Sequence, residues 1–227
     1  MAKSERGRAN SSNRSKSTNR SKSSNAWLRE HHDDLYVQKA RAENYRSRAV
    51  YKLIEIDKKD NLLKPGMTVV DLGAAPGSWT QYCAERVGVR GRVIASDILP
   101  ISAPNSLGNV NFIEGDFTEQ SVLDKIAATL GECRADLVLS DMAPNLTGVA
   151  VSDQARAIAL VELAHDLAQR FAKPGSHFVA KIFQGEGFDE VIKKLRSDYT
   201  KVLIRKPDAS RDRSREVFAV ARNLLLV

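Results

Sequence analysis

Long apolar runs are absent from this 227-residue chain. Nothing approaches the run of about 18 apolar residues that a membrane-spanning helix needs, so no membrane association of that kind is expected. The N-terminus also lacks the apolar centre of a secretory signal. Cysteine is scarce. Cys83 and Cys133 lie far apart with no partner at metal-ligand spacing, which excludes a zinc motif and a disulfide framework. A reducing, cytoplasmic setting is therefore expected. Acidic and aromatic residues are nearly missing from one end, since residues 1–25 hold seven Lys or Arg, eight Ser and four Asn against Glu5 alone and contain no aromatic residue. Such a segment buries too little apolar surface to offset chain entropy and is expected to be a disordered basic tail. It carries +6 of the net charge of +7, so the remainder is close to neutral and the overall pI says little about its partner. Residues 26–227 are expected to form a single domain.

What is present is an alternation. Short β-branched runs occur at 68–70, 92–95, 110–113, 136–139 and 177–180, and helical patterns lie between them near 79–87, 119–130, 153–172 and 187–197. That order predicts an α/β fold with a mostly parallel, doubly wound sheet and helices on both faces. Upstream, Tyr45, Ala49, Leu53 and Ile56 stand at helical spacing and predict a basic amphipathic helix over 44–59, ended by Lys64-Pro65-Gly66. Downstream, 201–206 and 216–221 are two strands with no helix between them, which predicts a closing hairpin and one antiparallel strand at or near the sheet edge.

The first strand runs into Asp71-Leu72-Gly73-Ala74-Ala75-Pro76-Gly77-Ser78-Trp79. Small residues at such a turn let a ligand approach the backbone, and the helix that follows offers free N–H groups. The spacing is not that of the dinucleotide fingerprint, which disfavours a nicotinamide oxidoreductase. Asp97 ends the second strand, where an acid typically holds the ribose hydroxyls of a nucleoside cofactor, and Asp116 follows the third, placed to meet the adenine edge. Three further polar residues stand where a parallel sheet is normally apolar: Asp141 after the fourth strand, Lys181 near the end of the fifth and Glu216 at the start of the last. Lys52 lies on the helix upstream, beside Arg46 and Arg48. Singly, each has a bland reading as a turn cap, a snorkelling lysine or a surface ion pair.

Five segments together carry a resemblance. They are Arg46-Ser47-Arg48-Ala49-Val50-Tyr51-Lys52-Leu53, the turn from Asp71 to Trp79, Ser140-Asp141-Met142-Ala143-Pro144, Lys181-Ile182-Phe183-Gln184-Gly185, and Arg205-Lys206-Pro207 through Ser214-Arg215-Glu216. The chain resembles the FtsJ/RlmE family of ribosomal RNA ribose 2'-O-methyltransferases over essentially all of its folded part. The resemblance implies a Rossmann-like methyltransferase fold with S-adenosylmethionine as cofactor. It implies a catalytic set of Lys52, Asp141, Lys181 and Glu216, and cofactor contacts at Gly73, Gly77, Trp79, Asp97, Asp116 and Asp141. Ser78 departs from the family pattern, which has glycine there. The implied substrate is a uridine 2'-hydroxyl of 23S rRNA in the large ribosomal subunit. Nothing in the sequence suggests more than a monomer.

The chemistry asked of these residues is coherent. A ribose hydroxyl is a poor nucleophile at neutral pH, so transfer needs in-line positioning and a partner for the departing proton. Lys181 is the expected base, with Lys52 as a second cation and Asp141 and Glu216 orienting the two amines. The alternative is that Lys181 only positions the hydroxyl oxygen. Basic residues at Arg46, Arg48, Arg205, Lys206, Arg211 and Arg213 are the expected RNA-binding set, because phosphate contacts position nucleic acid. A tRNA or mRNA-cap 2'-O-methyltransferase shares this logic, and a non-catalytic RNA-binding ribosome assembly factor is the alternative from another class. A base amino-methyltransferase is disfavoured, since Pro144 is followed by Asn145 instead of a stacking aromatic.

Overall fold

The computed structural model describes residues 34–101, 108–211 and 213–225. The expected basic tail and the start of the expected domain lie outside the described residues. Helix α1 (Leu35–Ala42) and helix α2 (Val50–Asp60) precede strand β1 (Thr68–Leu72). Then follow α3 (Ser78–Val87), β2 (Arg92–Asp97), β3 (Val110–Glu114), α4 (Gln120–Leu130), β4 (Ala135–Ser140), α5 (Ala150–Phe171), β5 (Ala172–Phe183), α6 (Phe188–Asp198), β6 (Tyr199–Arg205) and β7 (Glu216–Leu224).

The seven strands form one sheet in the order β3-β2-β1-β4-β5-β7-β6. The first five are mutually parallel, and β7 inserts antiparallel between β5 and the edge strand β6. The expected hairpin and antiparallel strand are therefore present, with that strand second from the edge. One apolar layer, with Val70, Ile94, Ile126, Val138, Ala164, Phe178 and Leu195, packs α4, α5 and α6 on one face. The other, with Val50, Leu53, Val69, Trp79, Leu139, Val179 and Phe218, packs α2 and α3 on the opposite face. Strand residues of odd and even number divide between these faces, as the two-residue period requires.

The single helix expected over 44–59 is corrected. Asn44 adopts a left-handed φ of 58° and ends the preceding helix, so α2 starts only at Val50. The local reason is hydrogen bonding that competes with the helix: the Ser47 hydroxyl accepts the Ala49 N–H at 3.3 Å, and Tyr45 N–H donates to Ala40 carbonyl at 2.8 Å. Residues 43–49 become a connecting segment instead.

Candidate active site

The sheet order reverses between β1 and β4, and the crevice outside the carboxyl ends of strands at such a switch point is where α/β sheets bind ligands. Leu72 pairs with Ser140, so Gly73 and Asp141 leave the sheet side by side. Gly73 and Gly77 have φ of 72° and 97°, a region that favours glycine. A Cβ on Gly73 would lie 2.4 Å from Met142 Cγ, and one on Gly77 would lie 2.4 Å from Arg46 Nη1. The turn is thus a close-fitting backbone cradle with an arginine laid across it.

The carboxylates around the cradle are engaged with backbone. Asp97 accepts the N–H groups of Ala75 and Leu99, both at 2.8 Å, and thereby closes the turn onto the end of β2. Asp116 accepts the Thr118 N–H at 2.8 Å and its hydroxyl at 2.7 Å, and these two bonds hold its carboxyl below the usual aspartate range. Trp79, an expected cofactor contact, lies in the first turn of α3. It is buried, its indole N–H donates to Ala49 carbonyl at 2.8 Å, and its ring lies against Phe218. Its side chain braces the start of α2.

The segment 44–49 is latched to α3 along its length. Gln81 donates to Asn44 carbonyl at 3.1 Å, Tyr45 to Glu85 at 3.3 Å, and the hydroxyls of Ser47 and Ser78 are 2.8 Å apart. Ser78, the departure from the family pattern, thus ties the Gly73–Gly77 turn to the segment that leads into Lys52.

The four candidate catalytic residues converge on one face. Lys181 opposes Phe218 and Phe183 opposes Glu216 across the β5–β7 ladder, so Lys181 and Glu216 project from the same face two residues apart. Lys181 Nζ lies 3.0 Å from Asp141 Oδ1 and donates to Asp141 carbonyl at 2.6 Å. Lys52 Nζ lies 2.7 Å from Glu216 Oε1 and 5.6 Å from the Phe218 ring centre. The Ser210 hydroxyl donates to the same Glu216 oxygen at 2.9 Å. Burial pushes the Glu216 carboxyl up, but Lys52, then Lys181 and Ser210, outweigh it and hold the group below the ordinary glutamate range. Glu216 is therefore ionised and fixes the Lys52 amine. The bland alternative for Glu216, a surface ion pair, is not what forms.

Two contributors were not singled out from the sequence. Ser210 sits in an irregular loop, and no sequence signal marks it. Asp71 had one, an acid inside the apolar run Val69-Val70-Asp71-Leu72. It is fully buried and accepts the Thr80 hydroxyl at 2.6 Å. Burial, with Asp141 and Asp97 nearby, raises its carboxyl to about 7. The folded state therefore holds this proton more tightly than the unfolded chain, whose aspartates titrate near pH 4. The associated stability is complete below about pH 4 and is lost as pH rises through 7. Asp71→Asn is expected to flatten that decline, and urea midpoints at pH 5 and pH 8 check it. An equal decline in the variant would overturn the assignment.

The expected RNA-binding residues divide. Arg46 lies over the Gly77 turn. Arg48 donates to the Ala209 carbonyl, and burial, with Arg211 nearby, lowers its guanidinium below the usual arginine range. Arg205 is locked to Asp60 by two hydrogen bonds of 2.8 and 2.6 Å, and Lys206 donates to the carbonyls of Ser214 and Glu216. Arg213 is exposed and Arg211 half-buried in the loop before β7. Among the described residues no cluster of three or more His, Cys, Asp or Glu is arranged to hold a metal ion, and no helix is long and apolar enough to cross a membrane.

The chain is 58% identical over 196 residues to the ribosomal RNA large subunit methyltransferase E of Chromohalobacter salexigens, covering 86% of this chain and 92% of that protein. It is 55% identical over 201 residues to the protein of the same name from Cellvibrio japonicus, covering 88% and 94%. Among solved structures, a putative ribosomal RNA methyltransferase from Plasmodium falciparum superposes with a TM-score of 0.70 at 28% identity, over 80% of this chain and 99% of that one. Aeropyrum pernix fibrillarin, in complex with S-adenosyl-L-methionine, shares the fold with a TM-score of 0.52 at 19% identity, over 76% and 75%. The family described as FtsJ-like methyltransferase matches residues 45–224, from the latched segment to the end of β7, and the chain belongs to that family.

Proposed function

We propose that the chain transfers a methyl group from S-adenosylmethionine to the 2'-hydroxyl of a uridine ribose in 23S rRNA, acting as a monomer in the cytoplasm on the large ribosomal subunit. The observation that carries this reading is the convergence of Lys52, Asp141, Lys181 and Glu216 beside a glycine cradle at the switch point. The residues fit the cofactor. Gly73 and Gly77 give the turn its left-handed backbone, Asp97 and Asp116 offer acceptors to ribose hydroxyls and adenine, and Asp141 borders the turn. When bound, the cofactor supplies an electrophilic methyl group on a sulfonium.

The rest is done by the chain. Asp141 holds the Lys181 amine at the crevice, where it contacts the 2'-oxygen and receives or directs its proton. Glu216, steadied by Ser210, holds the Lys52 ammonium as the second cation, suited to a neighbouring hydroxyl or phosphate. Arg46 and Arg48, on the segment entering α2, and Arg211 and Arg213, on the loop before β7, supply positive charge for the RNA backbone. Only RNA carries the reacting hydroxyl.

The test is transfer of a labelled methyl group to isolated large ribosomal subunits that lack the modification. The product nucleotide is mapped by resistance to alkaline cleavage. One resistant site is expected. Labelling of tRNA or capped RNA without labelling of subunits would overturn the substrate assignment, and no labelling of any RNA would overturn the reaction.

A further inference from the structure

A groove of about 370 Å³ lies outside the catalytic quartet, between the second half of α2 and the chain that leaves β6. Glu55, Lys58 and Lys59 line one wall, and Arg205, Lys206 and Asp208 the other. Its charges are unequally engaged. Glu55 accepts the N–H groups of Asp208 and Ala209 at 2.6 and 3.1 Å, which holds the two walls together. Arg205 is neutralised by Asp60. Lys58 and Lys59 are exposed and make no hydrogen bond or ion pair with any described residue.

The groove is continuous with the active site in two ways. Lys52, Glu55, Ile56 and Lys59 follow one stripe of α2 at helical spacing, so Lys59 stands roughly 10 Å beyond the catalytic lysine along the axis. The loop 207–210 is a common partition. Asp208 and Ala209 bond to Glu55 on the groove side, while Ser210 bonds to Glu216 on the catalytic side.

We propose that this groove is a second phosphate subsite. It would take a phosphodiester of the same RNA strand, roughly three stacked nucleotides from the reacting ribose at ~3.4 Å per step. The proposal rests on the RNA reading above and adds a place and two residues to it. A phosphate held by Lys58 and Lys59 sets the register of the strand and leaves the chemistry to the quartet. The competing structural role for two lysines in the last turn of a helix is interaction with its dipole, which would act on stability and not on RNA.

The experiment uses the full chain with Lys58→Ala/Lys59→Ala, and Lys125→Ala/Lys193→Ala as a variant that removes equal charge from exposed positions on α4 and α6. Binding to isolated large subunits is measured across a salt series, and methyl transfer separately. The groove variant is expected to reduce the slope of log K against log salt by about 1 to 2. KM for subunits is expected to rise about tenfold, with kcat at saturation and KM for S-adenosylmethionine unchanged. The control variant is expected to match wild type. A groove variant with the wild-type slope and KM, or one altered only in melting temperature, overturns the proposal. Wild type that binds subunits without methylating them overturns the functional reading instead, and the salt slopes still decide the groove.

Discussion

Lys181→Arg is expected to lower kcat for methyl transfer by at least ~100-fold, the lower end of what a positioned proton acceptor contributes. Arginine keeps the positive charge and its attraction to Asp141, now at 3.0 Å, but it does not give up a proton in proteins. The substitution therefore separates the two roles open to Lys181. Retained activity would exclude proton acceptance and leave positioning of the 2'-oxygen. Binding of S-adenosylmethionine, measured by calorimetry, is expected to stay within twofold of wild type, because the Gly73–Gly77 cradle does not depend on this side chain. Lys181→Ala is the harsher test. It leaves the Asp141 carboxylate without its cation at the end of β4, and a melting curve must accompany the kinetics to separate lost chemistry from lost structure.

Arg205→Ala is expected to cost about 3 kcal/mol of stability and to leave the salt dependence of RNA binding nearly unchanged. Asp60 is a buried acid at the end of α2, and its carboxylate has the Arg205 guanidinium as a two-toothed partner at 2.8 and 2.6 Å. Removing the arginine strands that charge where water does not reach it. For a domain of this size the loss corresponds to a fall in Tm of roughly 6 to 12 °C. Arg205→Lys restores the charge but not the fork, and is expected to recover part of the loss. A large drop in the salt slope of RNA binding with an unchanged Tm would reverse the assignment and return Arg205 to the RNA surface.

The difference between these two basic residues shows where sequence reasoning stops. Lys181 stood out because a lysine after Phe178-Val179-Ala180 breaks an apolar strand, and breaks of that kind are local. Arg205 reads as an RNA-binding residue because its neighbours in sequence are basic. Its partner is 145 positions away, and no local pattern marks Asp60 as buried. Trp79 illustrates the same limit. Its place in the turn is legible, but the direction of its ring is set by Ala49 and Phe218, which belong to other elements. The expected helix over 44–59 failed for a neighbouring reason. The apolar spacing is correct, yet Asn44 and the Ser47 hydroxyl favour a turn, and bonds to α3 stabilise it.

By itself the sequence determined the class of the fold and the chemical character of the site. Alternating β-branched runs and helical periods leave little choice but a parallel sheet covered on both faces, because each apolar face needs a layer against it. The turn from Gly73 to Gly77 and the polar strand ends at Asp97, Asp141, Lys181 and Glu216 were likewise visible, since each departs from what its own strand or turn requires. Only the tertiary structure decided the pairings. Lys52 takes Glu216, Lys181 takes Asp141, Arg205 takes Asp60 and Ser47 takes Ser78. These contacts join residues from different elements, and which amine meets which carboxylate follows from sheet register and helix packing, which local sequence does not encode.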